Sequence, residues 1–277
     1  MDVIQVTDEF NASYGLVGLR RRSVLRLGLP LWEVLDDRER TALLGHEFGH
    51  RVNGDRRRSF WLYSAVSALW TWYDMARPGH HGPVVGRDEV SVLVRFGAVL
   101  GRLVLRGVAW ALYQGLVLFD RLTSRAGQQA EYHSDVLAAR VAGGEAARGM
   151  LAALLLPDSV DTAIHQIRAE ERGRPRVGRA RSRRTEDAPA PDLLWERVRE
   201  HLASVPAVER ERLLRLSARD RSAVDGSHPP THLRIALAAA RAGDGDAAVT
   251  VTAAESASIA AELAPHRARI AAELMAG

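Results

Sequence analysis

Two histidines and a glutamate stand close together at residues 46–50, which read His-Glu-Phe-Gly-His. On an α-helix, residues four apart lie one turn above each other on the same face. The imidazoles of His46 and His50 can therefore reach a single metal ion, and Glu47 lies close enough to act on water at that ion. These residue types at this spacing predict a metal centre that activates water, with zinc as the expected ion.

This prediction requires a helix, and the flanking sequence favours one. Asp36 or Asp37 can cap its N-terminus. Apolar residues then recur at helical spacing, at Leu43, Leu44, Phe48 and Val52. Asn53-Gly54 can end the helix, because both residues tolerate the left-handed conformation. The alternative is a solvated helix that carries two surface histidines.

The third metal ligand decides the class of site, because zinc in a hydrolase usually has three protein ligands and one position for water. One class supplies a third histidine six residues after the second, where this chain has Arg56. The other class takes a glutamate from a later helix, and Glu131 is the best candidate. Asp135 lies on the same helical face and can hydrogen-bond to a ligand histidine. The alternative is an ordinary exposed pair of carboxylates.

The composition of the 277-residue chain limits the remaining possibilities. A hydrophobic share of 47% supplies a sizeable core, and the abundance of Ala, Leu and Arg favours helices. The chain has no cysteine, which excludes disulfides and thiolate ligands, so a metal must be held by His, Asp and Glu. The net charge of +4 is too small to indicate nucleic-acid binding. Residues 1–10 lack the pattern of a signal peptide, so we expect the metal site to face the cytoplasm.

The segments around the predicted metal helix differ in character. Three β-prone segments, at residues 3–6, 14–19 and 23–27, predict a small antiparallel sheet before it. Two apolar blocks, at residues 59–73 and 89–119, follow it and predict a helical hairpin insertion over residues 56–120. Their longest uncharged runs are short for a full membrane span, and the second block carries a stripe of arginines. We interpret them as membrane-associated. The alternative is a soluble helix packed on the domain.

The later part of the chain is predicted to be helical, with one interruption. Residues 170–192 are rich in Arg, Gly and Pro and predict a disordered linker within a single domain over residues 1–277. The sequence Arg-Gly-Arg-Pro at residues 172–175 leaves open a rival function, the binding of nucleic acid or anionic lipid. A turn at residues 227–230, Ser-His-Pro-Pro, precedes another helix.

Several motifs occur in an order that resembles the HtpX and CAAX prenyl protease family of zinc metallopeptidases. They are Asn11-Ala12, residues 46–50, residues 131–135, residues 227–230 and Arg234, and together they cover about residues 11 to 240. The resemblance implies a zincin-like α+β fold that is mostly α, and zinc-dependent hydrolysis of peptide bonds. It also implies membrane association with the active site on the cytoplasmic side, although relatives often carry membrane helices ahead of the zinc helix and this sequence does not. A soluble cytoplasmic protein is the alternative.

The same resemblance implies a role for each site residue. His46, His50 and Glu131 would bind one zinc ion per chain, and Glu47 would be the general base. His228 would donate a hydrogen bond to the oxyanion. Asp135 and Arg234 would support the ligands from outside, Arg234 through an ion pair. The expected substrate is a polypeptide, a membrane or misfolded protein cut by an HtpX-like endopeptidase, and the alternative is a catalytically inactive zinc-binding scaffold.

Overall fold

The computed structural model describes residues 2–18, 22–52, 55–77, 92–173, 191–219, 229–241 and 247–276. Within these residues the chain has three strands followed by ten helices. The strands are β1 (Val3–Thr7), β2 (Ala12–Val17) and β3 (Arg22–Gly28). The helices are α1 (Leu29–Val34), α2 (Asp37–Val52), α3 (Asp55–Ala76), α4 (Val92–Ala142), α5 (Gly144–Ala153), α6 (Pro157–Gly173), α7 (Pro191–Ser204), α8 (Ala207–Arg219), α9 (Thr231–Ala240) and α10 (Ala253–Ala276). The predicted mostly helical α+β fold is confirmed.

The contacts divide the chain into two compact units. The first comprises Met1–Asn53, Ala130–Val224 and Pro229–Gly277, and the second comprises Gly54–Gln129 and Asp225–His228. The assignment of residues 1–277 to a single domain with an insertion at residues 56–120 stays a prediction. Of the predicted linker at residues 170–192, the first four residues close α6 and the last two begin α7, and residues 174–190 lie outside the described part of the chain.

The sheet of the first unit is mixed, so the prediction of an antiparallel sheet was wrong in one pairing. The strand order is β1-β3-β2. Strand β2 is antiparallel to β3, whereas β1 runs parallel to β3. The central strand, β3, is the most completely buried of the three, with Val24, Leu25 and Leu27 all buried. A hairpin between β1 and β2, the neighbours in sequence, would place β2 in the centre and leave the buried strand β3 at the edge of the sheet.

Helix α2 begins at a reciprocal capping box, which decides between the two predicted caps in favour of Asp36. The Glu39 N–H donates to Asp36 Oδ1 over 2.8 Å, and the Asp36 N–H donates to Glu39 Oε2 over 3.0 Å. These bonds satisfy backbone donors that a helix leaves unpaired at its start. The cap therefore fixes where α2 begins and, through the helical repeat, which of its residues face inward.

The core of the first unit lies between the sheet and a group of helices. Its fully buried side chains come from distant parts of the sequence, and include Leu29, Leu31, Met150, Leu151, Leu194, Trp195 and Ile270. The last residues of α4 pack into this core through Ala138 and Ala142. Helix α4 ends before Gly143, whose φ of 93° is a conformation that glycine adopts without strain. The end of α4 is thus held in the core, where it can carry site residues.

The described part of the second unit consists of α3 and residues 92–129 of α4. Helix α4 does not end with the second apolar block at residue 119 but continues as one 51-residue helix. Tyr73 and Tyr113 bring the two helices together, with ring centroids 6.0 Å apart. Large apolar side chains are exposed along α4, at Phe96, Val99, Leu100, Leu103, Val104, Val108, Trp110, Leu118 and Leu122. By length and composition the stretch from Phe96 to Ala142 is the one described helix able to cross a membrane.

Candidate metal centre

The two histidines of α2 and a glutamate of α4 converge in the first unit. The Nε2 atoms of His46 and His50 are 3.2 Å apart. Glu131 Oε2 lies 3.5 Å from His46 Nε2, and Glu131 Oε1 lies 3.5 Å from His50 Nε2. His46 and Glu131 are buried, while His50 is partly exposed. The cluster thus has one side that solvent can reach.

These distances fit a tetrahedral metal ion. Two ligand atoms that each lie about 2.0–2.1 Å from a tetrahedral zinc ion are about 3.3–3.4 Å apart. The two Nε2 atoms are 3.2 Å apart, and each lies 3.5 Å from a different oxygen of Glu131, so these separations are close to that value. Two imidazoles and one carboxylate are also a donor set that zinc accepts in hydrolases, where a fourth position stays open. The described residues contain no other group of His, Asp and Glu that could hold a metal.

Asp135 and Arg234 support this cluster from its buried side. Asp135 Oδ1 lies 3.0 Å from Nδ1 of His46, so His46 directs its other ring nitrogen at Glu131 and His50. Arg234, from α9, donates to both oxygens of Asp135 through Nε and Nη2, each over 2.8 Å. Its Nη2 also lies 3.2 Å from Glu131 Oε2. One guanidinium therefore balances two buried carboxylates.

The electrostatics of the metal-free cluster follow from these contacts. Burial works to lower the pKa of His46, but its hydrogen bonds to Asp135 and Glu131 outweigh burial and raise the pKa to about 9. Burial works to raise the pKa of Asp135, but the bonds from Arg234 and His46 hold it below its usual value. In the metal-free protein His46 therefore carries a proton at neutral pH, while Asp135 is ionised.

Glu47 lies beside the cluster but outside the set of ligand atoms. Its Oε2 accepts a hydrogen bond of 2.9 Å from the backbone N–H of Tyr14, in strand β2. Burial raises the pKa of Glu47, against the opposing charges of His46 and His50. The strand thus fixes one carboxylate oxygen of Glu47, while burial brings the pKa of Glu47 nearer to the range in which a carboxylate exchanges protons with water.

Two residues at this site were missed by the sequence analysis. Gly49 faces Ser134 at the closest approach of α2 and α4, and a Cβ built on Gly49 would lie 2.9 Å from Ser134 Oγ. Ser134 Oγ in turn lies 3.4 Å from Nδ1 of His50. A sequence signal existed for Gly49, because a glycine inside a helix costs roughly 0.5–1 kcal/mol and needs a reason. No comparable signal marked Ser134.

The predicted oxyanion donor, His228, lies outside the described residues, as do His80 and His81, so the role of His228 stays a prediction. His133 is described but is not part of the cluster. With Tyr132, Val136 and Leu237 it lines an open cavity of about 580 Å³.

Comparison with known proteins gives one match. The family described as peptidase family M48 matches residues 1–242, a span that includes every residue of the cluster described above. No curated protein and no solved structure matches the chain.

Proposed function

The chain belongs to peptidase family M48 and is therefore a metallopeptidase, a hydrolase of peptide bonds, and we propose that it is an HtpX-like zinc endopeptidase. The predicted resemblance to the HtpX and CAAX prenyl proteases and the zincin-like fold are confirmed by the family match. We propose that the metal is zinc and that His46, His50 and Glu131 bind it. The roles of the other residues and the place of action are proposed below.

The observation that carries the proposal is the convergence of two imidazole nitrogens, 3.2 Å apart, with the Glu131 carboxylate, whose Oε2 lies 3.5 Å from His46 Nε2 and whose Oε1 lies 3.5 Å from His50 Nε2. Separations of this size suit a tetrahedral ion held by nitrogen and oxygen, and the absence of cysteine leaves no thiolate competitor. When bound at such a site, zinc acts as a Lewis acid that lowers the pKa of water and polarises a carbonyl group.

The residues around the three ligands transfer the proton, hold the ligands in place and stabilise the oxyanion. Glu47 is the general base: it accepts a proton from the attacking water and passes it to the amine that leaves the cleaved bond. With Oε2 held by the Tyr14 N–H, the other oxygen of Glu47 is the one that moves the proton. Asp135 holds the proton of His46 at Nδ1, and Arg234 keeps Asp135 ionised while forming an ion pair with Glu131. The oxyanion donor is assigned to His228.

Replacement of Glu47 by glutamine tests this assignment. Glu47→Gln removes the base but none of the three ligands, so we expect bound zinc to stay near one ion per chain while the cleavage rate of casein falls by about 10²–10⁴-fold. Zinc is measured by elemental analysis and cleavage by the release of labelled peptides. Glu145→Gln, at an exposed position on α5, is the matched control and should keep full activity.

Two outcomes would contradict the proposal. Cleavage by Glu47→Gln at the wild-type rate would remove Glu47 from the mechanism. A wild-type chain that holds zinc yet cleaves no polypeptide would indicate an inactive zinc-binding scaffold, the alternative that the sequence left open.

We also propose that the protein works at a membrane, on membrane or misfolded polypeptides, with its active site on the cytoplasmic side. The supporting observation is the apolar surface of α4, where Phe96 is 70% exposed and Trp110 is 66% exposed. Exposed apolar side chains in such number are unusual on a soluble monomer and are favourable against lipid. The arginines of this helix can keep their charges at the head groups while their stems lie on apolar surface.

Flotation with lipid vesicles tests the membrane proposal. The wild-type chain should float with the vesicles, and Phe96→Ser combined with Leu103→Ser and Trp110→Ser should stay at the bottom of the gradient. Val208→Ser with Leu216→Ser removes exposed apolar side chains from α8 and serves as the control. Flotation of the triple variant with wild-type efficiency would exclude this surface.

The lack of cysteine allows a direct test of sidedness. A single cysteine introduced as Arg148→Cys, on the exposed face of α5, is the only thiol in the chain. In intact cells a membrane-impermeant maleimide should leave it unlabelled, and lysis should make it reactive. Labelling in intact cells would place the active-site unit on the outer side.

A further inference from the structure

We infer that Ser134 is a positioning residue that orients His50 in the metal centre, and that Gly49 is the residue that gives it room to do so. This inference rests on the proposed zinc site and adds to it the outer partner of the second histidine. It concerns a contact between α2 and α4 that joins two motif residues to which the sequence analysis assigned no role.

The two histidines are arranged in parallel ways. His46 directs Nε2 toward Glu131 and His50, and its Nδ1 lies 3.0 Å from Asp135 Oδ1. His50 also directs Nε2 toward the cluster, and its Nδ1 lies 3.4 Å from Ser134 Oγ. Each ring therefore has one nitrogen for the ion and one for an oxygen of α4. The two oxygens come from neighbouring residues of the same turn.

A hydroxyl oxygen is suited to this position. A neutral histidine that offers Nε2 to a metal carries its proton on Nδ1, and that N–H needs an acceptor. The hydroxyl of serine can accept it, since it has two lone pairs beside its own proton. Ser134 is 0% exposed, so water does not compete for this contact from the side of α4. A partner that already fixes the imidazole ring reduces the conformational entropy that the side chain loses when the metal binds.

Gly49 explains how a side chain of α4 comes so close to α2. A Cβ on Gly49 would lie 3.0 Å from both Cα and Cβ of Ser134, closer than carbon atoms pack. Any other residue would push the two helices apart by several tenths of an ångström. That displacement would lengthen the contact between His50 and Ser134. It would also move Glu131, which lies one turn away on α4.

The first test is Ser134→Ala in the full-length protein. The change removes the hydroxyl, keeps nearly the same volume and favours the helix, so the metal-free variant should unfold at or above the wild-type temperature. Zinc affinity, measured by competition with a chromophoric chelator, should fall by about tenfold, the lower end of the range for lost outer partners. The NMR signals of the His50 ring in the zinc-loaded protein should shift, while those of His46 stay in place.

Two glycines of α2 supply a matched second test. Gly49→Ala should lower zinc affinity by about 10–100-fold, because it separates the ligands. Gly45→Ala lies one turn earlier on the same face, where the new Cβ would meet Ala138 Cα at 3.3 Å and the contact is less tight. It should lower zinc affinity clearly less than Gly49→Ala does. This pair remains informative if Ser134→Ala fails to fold.

The outcomes separate this inference from the proposed function. If the wild type binds zinc and Ser134→Ala binds it equally well with unchanged His50 signals, Ser134 has no positioning role. Equal affinities for Gly49→Ala and Gly45→Ala would likewise overturn the part assigned to Gly49. If the wild type itself binds no zinc, the proposed function fails and the inference fails with it.

Discussion

At the scale of single residues, Arg234 is the side chain on which most of the buried charge depends. It donates two hydrogen bonds to Asp135 and forms an ion pair with Glu131, and it is 6% exposed. A planar guanidinium suits this task because it offers paired donors to a carboxylate, whereas an ammonium group is a point charge. Loss of this cation would leave two carboxylates buried near each other.

We therefore expect Arg234→Met to destabilise the metal-free protein by about 3–5 kcal/mol, the cost typical of breaking a buried ion pair. Arg234→Lys should restore only part of this free energy. Urea unfolding followed by circular dichroism measures the change. Arg148→Met, which breaks an exposed pair with Glu145, should leave the unfolding midpoint nearly unchanged. A wild-type midpoint for Arg234→Met would show that Asp135 and Glu131 do not depend on this cation.

The pKa of His46 gives zinc binding a pH dependence with a definite sign. In the metal-free protein this pKa is raised to about 9, so protons compete with zinc for the ring. The apparent zinc affinity should rise with pH up to about 9, by up to about tenfold per pH unit from this residue. His46 should release close to one proton per zinc bound at pH 7.5. Calorimetric titration in two buffers that differ in ionisation enthalpy measures the release, and an absence of buffer dependence would contradict the assigned pKa.

The raised pKa of His46 affects stability in the opposite direction: as the pH rises, zinc affinity increases but the stability of the metal-free protein decreases. A pKa that is higher in the folded than in the unfolded state stabilises the fold fully below the unfolded pKa of about 6.5. The contribution of His46 to the stability of the metal-free protein should therefore decline between pH 6.5 and about 9. At high pH, where the contribution of His46 is lost, zinc that binds the folded state stabilises the protein instead.

At the scale of secondary structure, the start of α2 determines where the two histidines of the cluster lie. The capping box of Asp36 and Glu39 fixes the first turn, and His46 and His50 follow two and three turns later. Asp36→Ala should lower the unfolding free energy by about 1 kcal/mol through loss of the cap. Asp37→Ala, at the next residue, removes only an exposed ion pair with Arg40 and should have a smaller effect. Equal losses in the two variants would show that the box does not stabilise the helix.

The helices and strands also show how much of the fold and of the candidate site could be predicted from the sequence. The span of α2 and the common face of His46 and His50 were predictable because a cap, a helical period and a motif are local signals within about twenty residues. The parallel pairing of β1 with β3 was not, because it depends on which strand is most completely buried. The contact between Gly49 and Ser134 joins residues far apart in the sequence, so no pattern in either helix alone contains it.

At the scale of the whole molecule, the core extends past the part of the chain that the family match covers. The match ends at residue 242, yet α10, at residues 253–276, buries Ile270 and pairs Arg267 with the buried Glu33 of α1. The carbonyl of Arg267 also accepts a hydrogen bond from Trp195. This helix is therefore part of the hydrophobic core of the first unit.

Two isoleucines of α10 test this conclusion. Ile270 is fully buried, so Ile270→Ala should cost about 2–5 kcal/mol of unfolding free energy. Ile259 is 37% exposed on the same helix, and Ile259→Ala should cost clearly less. Thermal unfolding of the two variants compares them directly. Similar losses would mean that α10 does not pack on the core in solution.

The three parts of the metal centre also emerge from the ribosome at different times. The histidine pair is made early, Glu131 is added some eighty residues later, and Arg234 follows after another hundred. A nascent chain therefore cannot assemble the cluster until α4 has been translated, and Arg234 can reach Asp135 only after α9 has left the exit tunnel. The cluster is thus a product of late folding, which must bring α2, α4 and α9 together.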